Sequence, residues 1–472
     1  MNVLNYPNCR ISREARLYGL WELSRRAGVT RELFESWNSE FDGSTIVVRP
    51  GSDTVGCVRF PMNSDEQSHR SLVVCKAWNG LAHVPAARLV PDFIVPFCSK
   101  ESRPGQPLFD QVGPQTFECT EDLLASIVLT LSRFEELQPI EKDEHGRFPA
   151  SASLAKAHGF LNRPIVDEYG LGFQQILLRL TPGWNPEPAK LRIKVTHDVD
   201  QLGIPFSLRS ALGHLLLRRA PLACARDFLS LALPVEPGYL NFVRAICRHS
   251  LDRNICPAVY WKASPPGPFD TGYDLNDPRV ANVITWCRER GIELGVHPSY
   301  DTFESPTKLQ QEVEHVRNVV GYKHIGGRQH YLRWCPRTWV EWEGCGLAYD
   351  SSVGYADHVG FRAGTCFPYF PWLLESDRQS ALLEIPLIVM DGTLIGYMKL
   401  DLEESLQIVQ KLVRSCALVG GVFTLLWHNS SLVGTDAQLY LRILDYLAGE
   451  SDYDWEADIR LLRGEPRPRY MS

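Results

Sequence analysis

From about residue 190 onward, short β-rich runs alternate with helical segments, and several of the runs end in an ionisable side chain. Strands separated by helices pair in parallel, so the pattern predicts βα units and an α/β fold for this part. Candidate strands are Leu191 to Thr196, Pro257 to Trp261, Ile292 to His297, His324 to Arg328, Leu382 to Val389 and Val422 to Trp427. Helix signals fall between them: Asp277-Pro278 opens one helix and Gly291 stops it, and Ser305-Pro306 and Gly321 bracket the next. Periodicity alone does not choose between an open doubly wound sheet and a barrel, but both place chemistry at strand C-termini.

Before that rhythm begins, the pattern is mixed. Ser44 to Arg49 and Asp92 to Pro96 read as strands, and Thr120, Glu121 and Asp122 open a predicted helix from Leu123 to Leu137. Three prolines and a glycine within Thr181 to Pro188 suit a linker. The expectation is a smaller α+β domain over residues 1–188 and a βα domain over residues 189–472. A formal net charge of -7 gives no basic footprint for nucleic acid. Thirteen cysteines without a C-x-x-C pair argue against a zinc ribbon or a disulfide framework. Arg10, Arg13, Glu14 and Arg16 interrupt the N-terminus, which lacks a signal peptide's apolar core. These features point to the cytoplasm. Ala211 to Pro234 is lipophilic but carries His214, Arg218, Arg219, Arg226 and Asp227, so no transmembrane segment is expected. It reads as a core-facing amphipathic helix or pair of helices, with peripheral membrane contact as the alternative.

Five clusters could carry chemistry. Asp198 and Asp200 end the first run, and residues two apart in a strand face the same side. Two such acids need a cation or an arginine nearby to stay ionised; otherwise they serve as turn or cap residues. His297 ends another run, and Asp301 four residues on reaches the same ion if the segment makes one helical turn. Gly295 permits a close backbone approach there. Arg328, His330 and Tyr331 form the third cluster, and Asp350 with Arg362 downstream the fourth. An arginine of this kind either orients a catalytic carboxylate or sits in a structural ion pair. His428, ending the last run, suits proton donation to a leaving amine.

In this order, over about Leu191 to Asn429, the segments resemble the polysaccharide deacetylase family, also called the NodB-homology or carbohydrate esterase family 4 domain. Thr196 to Asp200 is similar to its T-F-D-D-G motif, His297 to Asp301 to H-[ST]-x-x-H, Arg328 to Tyr331 to R-x-P-Y, and Leu426 to His428 to L-x-H. The resemblance implies a distorted (β/α)₇ barrel and a divalent metal, with zinc expected. It implies Asp198 as general base, Arg328 orienting it, Asp350 pairing with that arginine, His428 as general acid, and the Tyr331 backbone N-H in the oxyanion hole. Asp200 and His297 become metal ligands. Val199 stands where the family's metal aspartate is, Asp301 replaces its second histidine, and His330 replaces a proline. The third ligand is therefore Asp301 or His330. Asp plus two His leaves the ion more Lewis-acidic than two Asp would, which favours His330. Asp143 to Pro149 and Arg163 to Asp167 look like an accessory domain that precedes this deacetylase in one bacterial subgroup.

The implied reaction is hydrolysis of an N-acetyl, or secondarily an O-acetyl, group on a sugar or oligosaccharide during bacterial surface-polysaccharide synthesis. Two rivals stand beside it. One is a glycan-binding scaffold without catalysis, and the other is a metal-independent amidohydrolase acting on a small non-sugar compound. Acetate release and sensitivity to chelation separate the three.

Overall fold

Helix and strand signals in the C-terminal half translate into one parallel sheet whose strand ends all face the same way. The computed structural model describes residues 11–51, 56–62, 72–77, 90–98, 103–188, 190–202 and 238–465. The stretch from Ala211 to Pro234 and the first ten residues lie outside them. No helix among the described residues is long and apolar enough to cross a membrane.

In the N-terminal half, strands β1 (Asn38–Asp42), β2 (Thr45–Arg49) and β3 (Cys57–Pro61) precede β4 (Leu72–Lys76) and β5 (Asp92–Pro96), then β6 (Phe109–Gly113) and β7 (Thr116–Cys119). They form a five-stranded sheet in the order β1-β2-β3-β7-β6 and a separate β4-β5 hairpin-like pair. Helices Arg13–Arg26, Leu123–Leu131 and Ile165–Leu180 pack together beside them. The helix expected to run from Leu123 to Leu137 stops at Leu131, and its cap is Asp122, which accepts from the Ala125 N-H. The cause lies at Arg133: its backbone turns left-handed at φ 54°, and its guanidinium reaches forward to Glu135 and Glu136 in the next short turn.

In the C-terminal half, β8 (Arg192–Val199), β9 (Ala258–Trp261), β10 (Glu293–Val296), β11 (Tyr349–Asp350), β12 (Trp372–Leu373), β13 (Arg378–Gln379), β14 (Leu383–Glu384), β15 (Val389–Met390), β16 (Val422–Leu426) and β17 (Ser451–Asp452) follow in turn. The main sheet runs β10-β9-β8-β16-β15, with β17 beside the start of β8, and all its pairings are parallel. Asp277 caps helix Pro278–Arg288, and Ser305 and left-handed Gly321 bound helix Pro306–Val320. Ile193, Val195, Val259, Leu294 and Phe423 are buried in this sheet, as expected of parallel strands covered on both faces.

Two expected strands are reduced. His324 to Arg328 makes only single bridges, Gly327 to Val296 on one side and to Asp350 on the other. The segment threads so tightly between its neighbours that a Cβ on Gly327 would lie 1.8 Å from the Val296 carbonyl oxygen, and one on Gly326 would enter the Tyr349 ring at 2.3 Å. Gly295 is constrained likewise, 2.4 Å from the Gly326 oxygen. Leu382 to Val389 splits into β14, paired with β11, and β15, paired with β16. The amides of Ile385 and Leu387 bond Asp350 and Val353, whereas that of Ile388 bonds Thr424. Among the described residues the ladders do not close into a continuous ring, and the fold shown is mixed α/β with a parallel sheet.

The two halves of the chain share one hydrophobic core cluster, which includes Leu131, Ile165 and Tyr169 as well as Ala363, Cys366 and Tyr369. Polar ties cross as well: buried Asp167 accepts from Thr365 Oγ1 at 2.5 Å and from the Cys366 N-H at 2.8 Å, and Glu136 pairs with Arg362. Among the described residues the cysteines are free thiols.

Candidate metal centre and active site

Four of the parallel strands deliver a polar residue immediately beyond their C-terminal end: Asp200 after β8, Lys262 after β9, His297 after β10 and Asp391 after β15. His428 follows β16 by one residue, past Trp427. Because the strands are parallel, these side chains meet at one rim. Asp198, one residue before the end of β8, joins them, as do Arg328, His330 and Tyr331 from the segment after Gly327. Of these, Asp198, Asp200, Lys262, His297, His330, Tyr331 and His428 line a pocket of about 340 Å³.

Asp198 and Thr196 face the same side of β8, as the two-residue period requires, and both accept from Arg328 Nη1 at 2.9 Å. His197 between them turns the other way, its Nδ1 2.8 Å from the Trp427 carbonyl, and burial pushes its imidazole down to about 4, so it is a neutral core residue. Arg328 is wholly buried and is held by the Ser351 carbonyl at 2.8 Å and the Ser351 hydroxyl at 3.0 Å. The partner expected for it, Asp350, does not form an ion pair with it among the described residues. Alternation along the chain is the reason: Ser351 faces the arginine, while Asp350 accepts from the Ser352 N-H and hydroxyl and lies opposite Glu384 in the ladder. Burial raises the Asp350 carboxyl above its usual range against the opposing pull of Ser352 and Arg328.

Around Asp200 the imidazoles share one arrangement. His297 Nε2 and His330 Nε2 each lie 3.1 Å from Asp200 Oδ1, and His428 Nε2 lies 3.5 Å from Oδ2. Two of the Nδ1 atoms are anchored by hydrogen-bond acceptors, His297 on the Arg328 carbonyl at 2.7 Å and His428 on Asp391 at 2.6 Å, while His330 Nδ1 lies 2.8 Å from Asp270 as an ion-pair contact. At His297, where burial favours the neutral ring, anchoring Nδ1-H fixes the tautomer and leaves the Nε2 lone pair facing the carboxylate, the orientation that metal-ligating histidines adopt. Asp200, His297 and His330 place ligand atoms within 4.8 Å of one another. One carboxylate and two imidazoles so arranged fit a divalent cation.

Asp301 lies elsewhere. It sits in the short 3₁₀ turn Tyr300–Glu304, its side chain is 64% exposed, and it pairs with Lys308 at 3.1 Å. The turn begins at Tyr300, three residues after His297, so no helical step returns Asp301 to the site, and the Tyr300 N-H donates to Asp270. Of the two alternatives for a third ligand, the geometry brings only His330 to Asp200. Asp301→Ala is expected to leave zinc binding unchanged. His330→Ala should weaken it beyond the roughly ten- to hundredfold loss that outer partners cost, as read by zinc titration. Equal affinity in the two variants would remove His330 from the set.

Sequence reasoning missed four residues. Lys262 is buried to 1% exposure, with Nζ 2.9 Å from Asp270, 3.2 Å from Asp200 and 2.9 Å from His330 Nε2. Asp270 gives that ammonium its own counter-charge beside the donor set. Asp391 accepts from both the backbone and the ring of His428. Burial alone would lower the His428 imidazolium, but Asp391, Asp200 and Asp198 outweigh it and raise it to about 10. Lys262 and Asp391 each stand directly after an apolar strand, which is the signal that could have found them; Asp270 has none. The fourth, Arg147, reaches the pocket from the N-terminal half.

Tyr331 and Leu332 are both left-handed, at φ 61° and 53°. For non-glycine residues this costs about 1–2 kcal/mol each, and such strain persists only where surrounding contacts enforce it. The pocket floor beside them is apolar, formed by Leu332, Met390 and Leu426, whereas Phe269 and Tyr397 at its edge are 43% and 48% exposed.

A family model, described as a family of unknown function (DUF7033), matches residues 64–182. No curated protein matches the chain. Among solved structures, the chain is similar to a protein from Mycobacterium smegmatis assigned to the polysaccharide deacetylases, at 14% identity and TM-score 0.40, over 62% of this chain and 96% of that one. It is also similar to one from Bordetella bronchiseptica assigned to polysaccharide deacetylation in O-antigen biosynthesis, at 13% identity and TM-score 0.30, over 59% and 93%. A third, Agd3, described as a novel carbohydrate deacetylase, aligns at 10% identity and TM-score 0.32, over 61% and 56%.

Proposed function

We propose that this chain is a metal-dependent hydrolase that removes an acetyl group, N-linked before O-linked, from a sugar. The observation that carries the reading is the set of imidazoles converging on Asp200 next to an arginine-held Asp198. Asp200, His297 and His330 would hold the ion, for which zinc suits the mixed nitrogen and oxygen donors. Bound there, the ion supplies Lewis acidity toward the acetyl carbonyl and toward water.

The chain's own groups supply the remainder. Asp198, aimed by the Arg328 guanidinium at 2.9 Å, takes a proton from the attacking water. The Tyr331 N-H stabilises the oxyanion as negative charge develops. His428, its ring oriented by Asp391, gives a proton to the sugar nitrogen as the carbon-nitrogen bond breaks, leaving acetate and an amine. Leu332, Met390 and Leu426 offer an apolar floor of the kind a methyl group fills, and the exposed faces of Phe269 and Tyr397 suit the C-H face of a sugar ring. The distorted barrel belongs to the same proposal: Gly327 and the segment from Leu382 to Met390 bridge β10, β11 and β16 in the order a ring would need.

Lys262 favours a second reading. An ammonium 3.2 Å from Asp200 is a built-in cation, and it would serve a metal-independent amide hydrolase. Acetate release from N-acetylglucosamine oligomers by zinc-loaded protein, lost on chelation and restored by zinc, is the expected result. Activity that survives chelation would select the second reading, and stoichiometric zinc without acetate release from N- or O-acetylated sugars would leave only a glycan-binding role.

A further inference from the structure

Asp143 to Arg147, in the half of the chain without an assigned role, forms a turn closed on itself. The Asp143 N-H donates to the Arg147 carbonyl at 3.0 Å, Asp143 Oδ1 accepts from the His145 and Arg147 amides at 3.0 and 2.9 Å, and Gly146 takes φ 74°. That turn presents Arg147 with each kind of guanidinium nitrogen engaged. Nε donates to Asp143 Oδ2 at 2.7 Å, Nη1 to the Tyr331 carbonyl at 2.9 Å, and Nη2 to the Tyr397 hydroxyl at 3.0 Å. A reciprocal contact runs the other way: Arg333 Nε donates to the His145 carbonyl at 2.9 Å, and the His145 and Tyr331 rings meet edge-on with centroids 4.7 Å apart. The residues so gripped are the left-handed pair at Tyr331 and Leu332, immediately after His330.

We propose that Arg147 is a positioning residue of the active site, clamping the Tyr331 carbonyl so that the strained turn keeps the Tyr331 N-H in place; the N-terminal half thereby completes the site. The inference rests on the hydrolase reading for its catalytic consequence but not for the clamp itself. A left-handed pair without glycine does not hold itself, and the Arg147 bond is a charge-assisted restraint on its carbonyl from outside the segment. Misplacing a transition-state donor by about an ångström costs on the order of a hundredfold in rate.

The test compares wild type, Arg147→Ala and Asp143→Asn, the last retaining Arg147 but loosening its anchor. Measured are kcat and KM for acetate release, bound zinc, melting temperature, and amide exchange across residues 329–333. Expected for Arg147→Ala is a fall in kcat of about a hundredfold with KM and zinc little changed, partial rescue by methylguanidine, and faster exchange confined to residues 329–333. Asp143→Asn should show the same changes in weaker form, and it carries the test if Arg147→Ala does not fold. Unchanged kcat and exchange would overturn the proposal, as would loss of kcat only together with zinc and melting temperature, without rescue. If wild type releases no acetate, the hydrolase reading fails alone: exchange at 329–333 then decides the clamp, faster in the variants supporting it and unchanged sinking it.

Discussion

Asp198→Asn is expected to lower the rate of acetate release by about a hundred- to ten-thousandfold, the range a positioned general base contributes, while zinc content and fold are retained. The amide is isosteric and its oxygen can still accept from Arg328 Nη1, which lies 2.9 Å from the carboxylate it replaces. Arg328 also keeps Thr196 and Ser351 as partners, so it is not left buried without acceptors. What the amide lacks is a basic lone pair. The defect should therefore persist as pH rises, because an amide oxygen does not gain basicity. A variant as active as wild type, with zinc still bound, would place the base elsewhere; loss of zinc along with activity would make Asp198 a ligand.

The site became legible wherever a short, directional pattern governs it. The β-rich run read as Leu191 to Thr196 forms a strand that extends to Val199, its period sets Asp198 and Thr196 on one side, and its end releases Asp200 at the rim. The same logic carries His297 and His428. Asp277, Ser305 and Gly321 bound helices because caps are local chemistry. Where a residue's position depends on a turn, spacing misleads. Asp301 stands four residues after His297, yet the intervening backbone is extended before a 3₁₀ turn, and the carboxylate faces solvent beside Lys308. Asp350 was misplaced by one step of alternation that gave Ser351 the arginine. Asp391 precedes His428 by 37 residues and Arg147 precedes Tyr331 by 184, so only the assembled fold brings each pair together. The apparent strand at His324 to Arg328 fails for the opposite reason: two glycines let it pass between its neighbours closely, and single bridges suffice.

Glu136→Gln is expected to cost about 3–5 kcal/mol of stability, the range for breaking a buried ion network from one side. Glu136 Oε1 accepts from Arg133 at 2.8 Å and Arg362 at 2.9 Å, Oε2 accepts from Arg362 at 2.5 Å, and all three side chains are nearly devoid of solvent. A neutral amide leaves the buried Arg362 guanidinium without its counter-charge and Arg133 with Glu135 alone. Burial would raise the Glu136 carboxyl, but Arg362 and Arg133 prevail and hold it below its ordinary 4.5. A group depressed in the folded state contributes in full above its unfolded value and loses that contribution as pH falls through the folded one. The gap between wild type and variant in urea unfolding should thus be widest above pH 4.5 and shrink below it; a gap under about 1 kcal/mol at neutral pH would show the network to be dispensable. The consequence reaches the site, because Arg362 lies on the same connection as Ser351, which holds Arg328. Loosening that connection should raise amide exchange at Ser351 and Ser352 before it affects the helix from Leu402 to Val419, whose burial does not involve Glu136.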